Sequence, residues 1–324
     1  MRILYLQSGY GRIYQSFDKS IVKACKALNY PTIFDSYQNA LATIMKNKLN
    51  HQDIMITMLG FKIPPHILKE CKKRGIQTAV WLTEDPYYID RTLKQIFHYD
   101  YIFSIDTAAV STYKKAGHQN VHYLPLGSDP DIYKPVHQTE SLTDLSLVGY
   151  PYPDRVELIN FLLTHTPYSI QLVGGKWKEY INDLNMYKTL SIHPHWVTPR
   201  KANKYFNQAK INLNTHRPFN LAQNENTLQI LNESVNNRTF DIATAQGFQL
   251  IDNKTDVGKH FEEGKEIISF STKEDLVRKI DHFLTHNEER KQIAKASYEK
   301  AMNKHTFTHR LKEMVTNIIL AEMK

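Results

Sequence analysis

Short apolar segments alternate with longer amphipathic segments along nearly the whole chain, and this alternation restricts the possible folds more than any other feature. A short run rich in β-branched and aromatic residues predicts a buried strand. Apolar residues that recur every three or four positions predict a helix. Because strand–helix alternation is typical of parallel sheets covered on both faces, we predict an α/β fold built from Rossmann-like, doubly wound sheets.

The first half of the chain carries one such series. Its helical segments include 16–29 and 64–75, and the latter opens on prolines and closes on Gly75, as helices commonly do. Its strand candidates are residues 2–7, 32–36, 53–59, 78–83, 101–105 and 121–126. A turn-rich segment at 126–144 then interrupts the alternation.

A second series of strand candidates follows that interruption, at residues 145–150, 169–175, 211–216, 248–252 and 266–270. The length of 324 residues also suits two domains of roughly 150 residues each. We therefore predict two domains, residues 1–138 and 139–305, that face each other across a cleft lined by strand ends. The amphipathic segment 306–324 belongs to neither series, and we expect it to cross back and pack on the first domain.

The chain is basic, with a net charge of +8, and this favours anionic partners such as nucleotides, phosphates, anionic polymers or nucleic acid. The lysines are scattered and no aromatic-interleaved basic stripe is present, so we expect no nucleic-acid partner. Cys25 and Cys71 fall in predicted helices and are interpreted as buried thiols of a reducing compartment. Because the N-terminal apolar run is too short for a signal peptide and no segment could span a bilayer, we expect a cytoplasmic protein without a transmembrane segment.

Three loops at the ends of predicted strands could carry chemistry. Gly9 and Gly11 would let backbone amides approach a ligand, although Tyr14 stands where a dinucleotide-binding fingerprint needs glycine. Glu84 and Asp85 precede a proline, which favours an extended turn, so they suit a general base, a sugar-hydroxyl acceptor or a helix cap. Gly174 with Lys176 could hold a phosphate, but the spacing is not that of a P-loop.

Histidine spacing at His193/His195 and His305/His309 resembles that of metal ligands. No acidic or cysteine partner lies nearby in sequence, so we expect no metal site and interpret these as surface or loop histidines. Trp196 or Val197 could then line a flat pocket.

The segment "ESVNNRTFDIATAQG" (233–247) places a charged and polar cluster at the entrance of a predicted helix. Asn236 or Asn237 would cap a helix that begins near Arg238 and ends before Gly247. An arginine in the first turn opposes the helix dipole, which is explained if a diphosphate lies between Arg238 and the helix end. Asp241 could accept two hydroxyl groups of a ribose, and Glu233 could reach another part of the same ligand. The alternative is a capping cluster with a solvated arginine.

These motifs resemble GT-B glycosyltransferases of the spore-maturation CgeB type, related to the glycosyltransferase group 1 and family 4-like enzymes. "ESVNNRTFD" has their E-x7-E form with Asp in second place, and "NRTFDIATAQGFQLID" is similar to their R-x-F-E-x-x-A-x-G segment. "YLPLGSDPDIYKP" resembles the segment between their two Rossmann-like domains. "LSLVGYPYPDR" and "TEDP" also stand where these enzymes carry related motifs.

The resemblance implies a glycosyltransferase that takes its sugar from a nucleoside-diphosphate sugar, with UDP favoured over dTDP, and needs no metal or other cofactor. The acceptor would be a spore-surface or envelope glycan or protein. In this interpretation Asp85, Glu84 and Glu233 are the catalytic candidates, with Asp85 as the base if the reaction inverts configuration. The implied donor-binding residues are Gly9, Gly11, Gly149, Arg155, Gly174, Lys176, Val197, Arg217, Asn237, Arg238, Thr239 and Asp241.

Three other functions stay open at this stage. The chain could be a non-catalytic module that binds a nucleotide sugar or glycan in spore or envelope assembly, and such a module would tolerate the loss of Asp85. A nucleic-acid-modifying transferase is compatible with the basic charge, and an epimerase with the two-domain plan. An inverting and a retaining course of the sugar transfer both stay open as alternatives.

Overall fold

The chain forms two units in the computed structural model, which describes residues 1–136, 143–181 and 188–322. The first unit combines Met1–Gly127, Phe219–Ser234 and Phe307–Lys324, and the second combines Ser128–Pro218 and Val235–Thr306. The boundary expected between residues 138 and 139 lies outside the described residues. The observed division comes earlier, at Gly127/Ser128, and the sequence analysis did not assign 219–234 to the first unit.

The first unit contains, within the described residues, a six-stranded parallel sheet of order β2-β1-β3-β4-β5-β6. Its central strands are buried on both faces, which explains their nearly continuous apolar sequences. Its strands are β1 (Ile3–Leu6), β2 (Thr32–Asp35), β3 (Ile54–Met58), β4 (Gln77–Leu82), β5 (Tyr101–Ser104) and β6 (Val121–Tyr123). Its helices are α1 (Ile13–Ala27), α2 (Ala40–Lys46), α3 (Pro65–Lys73), α4 (Ile89–Gln95), a 3₁₀ turn (Ile96–His98), α5 (Thr107–Lys115) and α13 (Phe307–Glu322).

The C-terminal helix α13 completes the core of the first unit. Phe307, Leu311, Met314, Val315 and Ile318 follow the spacing of one helical face, and each is at most 5% exposed. This face packs against α1 and the sheet, in one cluster with apolar residues of both. The predicted return of the last segment to the first unit is therefore confirmed.

The second unit repeats the plan with a described six-stranded parallel sheet of order β12-β11-β10-β7-β8-β9. Its strands are β7 (Thr143–Val148), β8 (Ile170–Val173), β9 (Leu190–His193), β10 (Ala209–Asn214), β11 (Gln249–Asp252) and β12 (Ile268–Phe270). Its helices are α6 (Pro153–His165), α7 (Trp177–Tyr180), α8 (Pro199–Gln208), α9 (Asn237–Thr244), α10 (Val257–His260), α11 (Lys273–Thr285) and α12 (Asn287–Lys304). The predicted α/β class with two parallel sheets is thus confirmed.

Strand β9 is the element that the sequence analysis missed. Its residues Leu190–His193 pair with β8 at the edge of the sheet, whereas the sequence suggested a histidine-containing loop. An edge strand buries less apolar surface than a central one, so its sequence signal is weak.

Two further expectations concern the thiols and the membrane. Cys25 and Cys71 are free and buried, as expected, and burial raises the pKa of Cys71 to about 12. Among the helices of the described ranges, none combines the length and the apolar character needed to cross a bilayer.

Candidate functional site

Helix α9 begins where a buried polar network fixes its first turn. Asn236 is the N-cap, and its side-chain oxygen accepts a hydrogen bond from the backbone N–H of Thr239 at 3.3 Å. The Asn236 amide donates to Asn214 on β10 at 3.0 Å. Asn214 in turn donates to the Thr239 hydroxyl and to Gln249 on β11, at 3.0 and 2.9 Å. Buried amides with satisfied hydrogen bonds hold the helix entrance in one orientation.

Two guanidinium groups converge beside this helix entrance. Arg155, from the first turn of α6, donates to the Thr215 carbonyl oxygen at 2.5 Å and to the Tyr150 carbonyl oxygen at 2.9 Å. Arg238, from the first turn of α9, donates to the same Thr215 oxygen at 3.0 Å and also to the Val148 carbonyl oxygen. Bringing two cations together at a helix N-terminus creates a strongly positive region that favours an anion.

Gly149 permits this convergence because it has no side chain. A Cβ atom at this position would lie 2.7 Å from one Arg155 nitrogen and would also overlap Arg238. The Gly149 carbonyl oxygen accepts a hydrogen bond from the Trp177 indole at 2.8 Å, which ties the β7–α6 loop to α7. The loop thus lies close to both arginines.

Arg217 is the third cation of this region. Its guanidinium lies 5.7 Å from the centre of the Tyr152 ring, and that of Arg155 lies 4.9 Å from the same ring. The structure therefore brings together Gly149, Arg155, Arg217 and Arg238, which are four of the residues predicted to bind the donor. We call these four residues the arginine cluster.

Gly174 and Lys176 lie at the neighbouring strand end. Gly174 has a φ of +149°, and a Cβ atom there would overlap the Gly149 carbonyl oxygen, so glycine is required. Lys176 has a φ of +72° and precedes α7 with an exposed side chain. Gly174 thus lies against Gly149, and the predicted contact of Gly174 and Lys176 with a phosphate stays a prediction.

Asp241 lies one turn into α9 and is only 2% exposed. Its carboxyl accepts a hydrogen bond from Asn237 at 2.9 Å, and the hydroxyl groups of Ser128 and Tyr133 lie close to it. Burial raises the pKa of Asp241 to about 8, against the opposing effect of these neighbours and of Arg238. A ribose would have to replace some of these internal partners to reach the carboxyl.

His216 is a site component that the sequence analysis missed. Its Nδ1 lies 2.5 Å from an Asp252 oxygen, and its Nε2 accepts a hydrogen bond from the Asn236 backbone N–H at 2.9 Å. The ring is therefore neutral, with its proton on Nδ1, and burial lowers its pKa. The available signal was a polar residue two positions after the end of β10, where functional side chains of parallel sheets collect.

The two catalytic candidates of the first unit differ in accessibility. Asp85 is 1% exposed and accepts hydrogen bonds from Ser104 at 2.6 Å and from Tyr113 at 2.8 Å. Burial raises its pKa to about 7. This enclosure counts against a base role for Asp85, which stays a prediction. Glu84 is only half-buried and accepts a hydrogen bond from Tyr14.

Glu233 belongs to the first unit, although the sequence analysis placed it with the residues around α9. Its carboxyl accepts a hydrogen bond from Thr107 at 2.8 Å. Asp106 is a second residue that the sequence analysis missed. One of its carboxyl oxygens caps α5, and the other accepts hydrogen bonds from the backbone N–H groups of Glu233 and Ser234. Asp106 therefore fixes the position from which Glu233 projects.

The remaining predicted residues lie elsewhere in their units. Gly9 and Gly11 line a cavity of the first unit, described below. Val197 packs beside the apolar cluster that contains Tyr133 and Ile242, whereas Trp196 is exposed. Over the described ranges, no three histidine, cysteine or acidic side chains gather in a group that could hold a metal ion.

Comparison with known proteins assigns the chain to a family. The family model described as glycosyl transferase-like matches residues 155–316, which include three members of the arginine cluster and the whole of α9. This chain belongs to that family. The glycosyl transferase-like chain is also 35% identical to the spore protein CgeB of Bacillus subtilis (strain 168). The alignment spans 314 residues and covers 95% of each protein.

Solved structures with low sequence identity share the fold of this glycosyl transferase-like chain. The sucrose-phosphate synthase of Thermosynechococcus elongatus matches it with a TM-score of 0.68 at 8% identity, over 99% of this chain and all of that one. The Anabaena protein Alr3699/HepE, solved with UDP and glucose, matches with a TM-score of 0.65 at 12% identity, over 98% of this chain and 99% of that one. These similarities confirm the predicted GT-B class of two Rossmann-like sheets.

Proposed function

We propose that this chain transfers a sugar from a nucleoside-diphosphate sugar to a glycan or protein acceptor of the spore surface or envelope. The observation that carries the proposal is the convergence of Arg155 and Arg238 on the Thr215 carbonyl oxygen at the N-terminus of α9. Family membership supports the reaction class, and the arginine cluster would bind the diphosphate of the donor. The similarity to a spore protein supports the acceptor class.

In the proposed reaction, the bond between the sugar C1 and the β-phosphate oxygen breaks while the acceptor oxygen bonds to C1. The acceptor hydroxyl releases its proton to solvent, and the departing nucleoside diphosphate keeps the electron pair of the broken bond and so gains one negative charge. Arg238 and the first backbone N–H groups of α9 would stabilise that charge, because donors held in place before the reaction need not reorganise during it. Arg155 would reinforce them, since it shares a carbonyl oxygen with Arg238.

We favour UDP over dTDP as the nucleotide of the donor. The support is that Alr3699/HepE has been solved with UDP and with UDP-glucose and shares the fold. The proposed contact of Asp241 with two ribose hydroxyls would also favour a ribonucleotide over a deoxyribonucleotide.

A comparison of UDP, dTDP, GDP and ADP by thermal shift tests this assignment. A ligand at a hundred times its dissociation constant stabilises the folded state by about 2.7 kcal/mol, so UDP should raise the Tm by several degrees. Incubation with UDP-sugars should also release UDP. A Tm that none of the four nucleotides raises would contradict the proposed nucleotide-sugar donor.

We also propose that the transfer needs no metal ion, because side-chain cations and α9 supply the positive charge at the diphosphate. Treatment with EDTA followed by dialysis should leave UDP-sugar turnover unchanged, and re-addition of Mg²⁺ or Mn²⁺ should not increase it. A tenfold loss that either ion restores would contradict this part of the proposal.

One observation favours a second candidate, a non-catalytic module that binds a nucleotide sugar. Asp85, the base predicted for an inverting reaction, is enclosed by Ser104 and Tyr113. A module would retain UDP binding at the arginine cluster without turnover. Titration calorimetry with UDP, alongside a sensitive UDP-release assay with several UDP-sugars, separates the two functions.

A further inference from the structure

A cavity of about 460 Å³ lies in the first unit, beside the carboxyl ends of β1 and β2. Its volume falls in the range of about 300–1,000 Å³ that is typical of small-molecule sites. The lining is dominated by two kinds of side chain. The aromatic residues are Tyr10, Phe34 and Tyr37, and the primary amides are Gln7, Gln15 and Gln38. We call this space the glutamine cavity.

The loop that follows β1 forms one wall of the glutamine cavity and is held in place by the buried carboxyl of Asp18. Asp18 is 4% exposed, and one of its oxygens accepts hydrogen bonds from the Tyr5 hydroxyl at 2.7 Å and from the Ser8 backbone N–H at 3.3 Å. Its other oxygen accepts the Ser8 hydroxyl at 3.2 Å, and the Ser8 oxygen accepts the Tyr10 N–H. A wall held by a buried carboxyl is preorganised for a ligand.

Gly9 brings the backbone of that wall against its neighbours. It has a φ of +75°, and a Cβ atom there would lie 2.5 Å from the Tyr37 ring and 2.9 Å from the Lys62 side chain. Lys62 donates to the Gly9 carbonyl oxygen at 2.6 Å and lies 4.3 Å from the centre of the Tyr10 ring. The ammonium group thus orients both the loop and one of the aromatic walls.

The chemistry of this lining matches an uncharged sugar ring. A glutamine amide presents a donor and an acceptor side by side, which matches two neighbouring hydroxyl groups that can each donate and accept. An aromatic face carries partial negative charge and attracts the weakly positive C–H face of a pyranose. Phe34 lines the cavity and is 40% exposed, so part of its ring is accessible to a ligand.

We propose that the glutamine cavity binds one uncharged pyranose ring of the acceptor glycan. The statement that this sugar belongs to the acceptor rests on the proposed glycosyl transfer. The binding of the sugar itself can be measured without any donor. Gln15 and Gln38 bind ring hydroxyls, and Phe34 and Tyr37 cover the ring face.

Saturation-transfer NMR with three methyl glycosides tests the cavity directly: methyl β-D-glucopyranoside, methyl β-D-galactopyranoside and methyl N-acetyl-β-D-glucosaminide. At least one should receive saturation from the full chain.

The double variant Gln15→Ala/Gln38→Ala removes two exposed amides and should fold, and Phe34→Ala removes the exposed ring. Each lost hydrogen bond should weaken binding by about two- to tenfold. Gln119→Ala is the matched control, because Gln119 is an exposed amide of the same unit at the opposite edge of the sheet.

A parallel UDP thermal shift keeps the two proposals apart. Loss of glycoside binding in the double variant, with UDP binding and the Gln119→Ala variant unaffected, would support the cavity. An absence of glycoside binding to a chain that still responds to UDP would overturn the cavity and leave the donor site intact. Glycoside binding that survives the double variant and Phe34→Ala would also overturn it. Binding that depends on these residues in a chain without any nucleotide response would support the cavity and contradict the proposed donor.

Discussion

Arg155 and Arg238 donate hydrogen bonds to the same acceptor, the Thr215 carbonyl oxygen, at 2.5 and 3.0 Å. Two guanidinium groups this close repel each other, and an anion placed between the two cations removes that repulsion. We therefore expect Arg238→Ala to weaken UDP binding by about ten- to a hundredfold, the usual effect of losing a charge-assisted hydrogen bond. Calorimetry measures the change, and Arg200→Ala, an exposed arginine of α8, is the control. Equal UDP affinity in both variants would contradict the site.

Gly149 offers a test that changes neither charge nor polarity. Gly149→Ala places a methyl group against both guanidiniums and should displace them, so UDP binding should fall by at least about tenfold while the unit stays folded. Gly175→Ala is a matched control in the neighbouring loop, because a Cβ atom there meets no atom within 4 Å. The comparison of the two UDP affinities decides whether the arginine positions matter.

Asp241 can be tested through the nucleotide as well as the protein. If its carboxyl binds the ribose, the wild type should prefer UDP to 2′-deoxy-UDP by about two- to tenfold. Asp241→Asn should reduce that preference, because the two changes remove the same interaction. A purely internal role for Asp241 would instead weaken the binding of both nucleotides equally. Calorimetric titration of four combinations of protein and nucleotide makes the distinction.

His216 should make the entrance of α9 sensitive to acid. Burial lowers the pKa of the folded-state ring below its ordinary value of 6.5, so the unfolded chain takes up this proton first as the pH falls. The contribution of His216 to stability is thus present above pH 6.5 and is lost as the pH falls through the folded-state pKa. Asp252, Lys254 and Arg238 are the charged groups that act on the ring.

The His216→Gln variant keeps a hydrogen-bond acceptor for the Asn236 N–H but cannot titrate. We expect its Tm to fall less steeply than that of the wild type between about pH 7 and pH 5, and its UDP affinity to change less. Identical pH profiles for the two proteins would show that the His216 ring does not control this helix entrance.

Asp85 should affect stability in the opposite direction, over an overlapping pH range. Its folded-state pKa of about 7 exceeds the ordinary value of 3.8, so the folded chain holds this proton longer than the unfolded chain does. Stability is therefore lost as the pH rises from about 4 to 7, by at most about 1.4 kcal/mol for each pH unit. Asp85→Asn should reduce that loss and should retain UDP-sugar turnover. An inactive but folded and UDP-binding variant would restore the base role.

Much of the fold was accessible from the sequence because it depends on local patterns. The buried strands are short apolar runs, and α9 begins at an asparagine cap that acts within three residues. The proximity of the residues in the arginine cluster could also be anticipated, because its glycine directly follows a strand and its arginines stand near strand ends or at helix starts.

The rest depends on distant residues that no local pattern specifies. Asp106 acts on Glu233 and Ser234, far along the chain, and His216 acts through Asp252 and Asn236. Pro86 indicated an extended turn at Asp85, but only the packing of Ser104 and Tyr113 decides that the carboxyl points inward. The site roles predicted for Glu84, Asp85, Glu233, Asp241 and the arginine cluster stay predictions.

The packing of α13 on α1 has a consequence for biosynthesis. Phe17 and Ile21 are synthesised well before the helix that covers them, because α13 follows the whole of the second unit in the sequence. The sheet of the first unit therefore exposes one apolar face until α13 has been made, whereas the second unit is complete before that point. A stop codon before Phe307 would damage the end of the molecule that was made first.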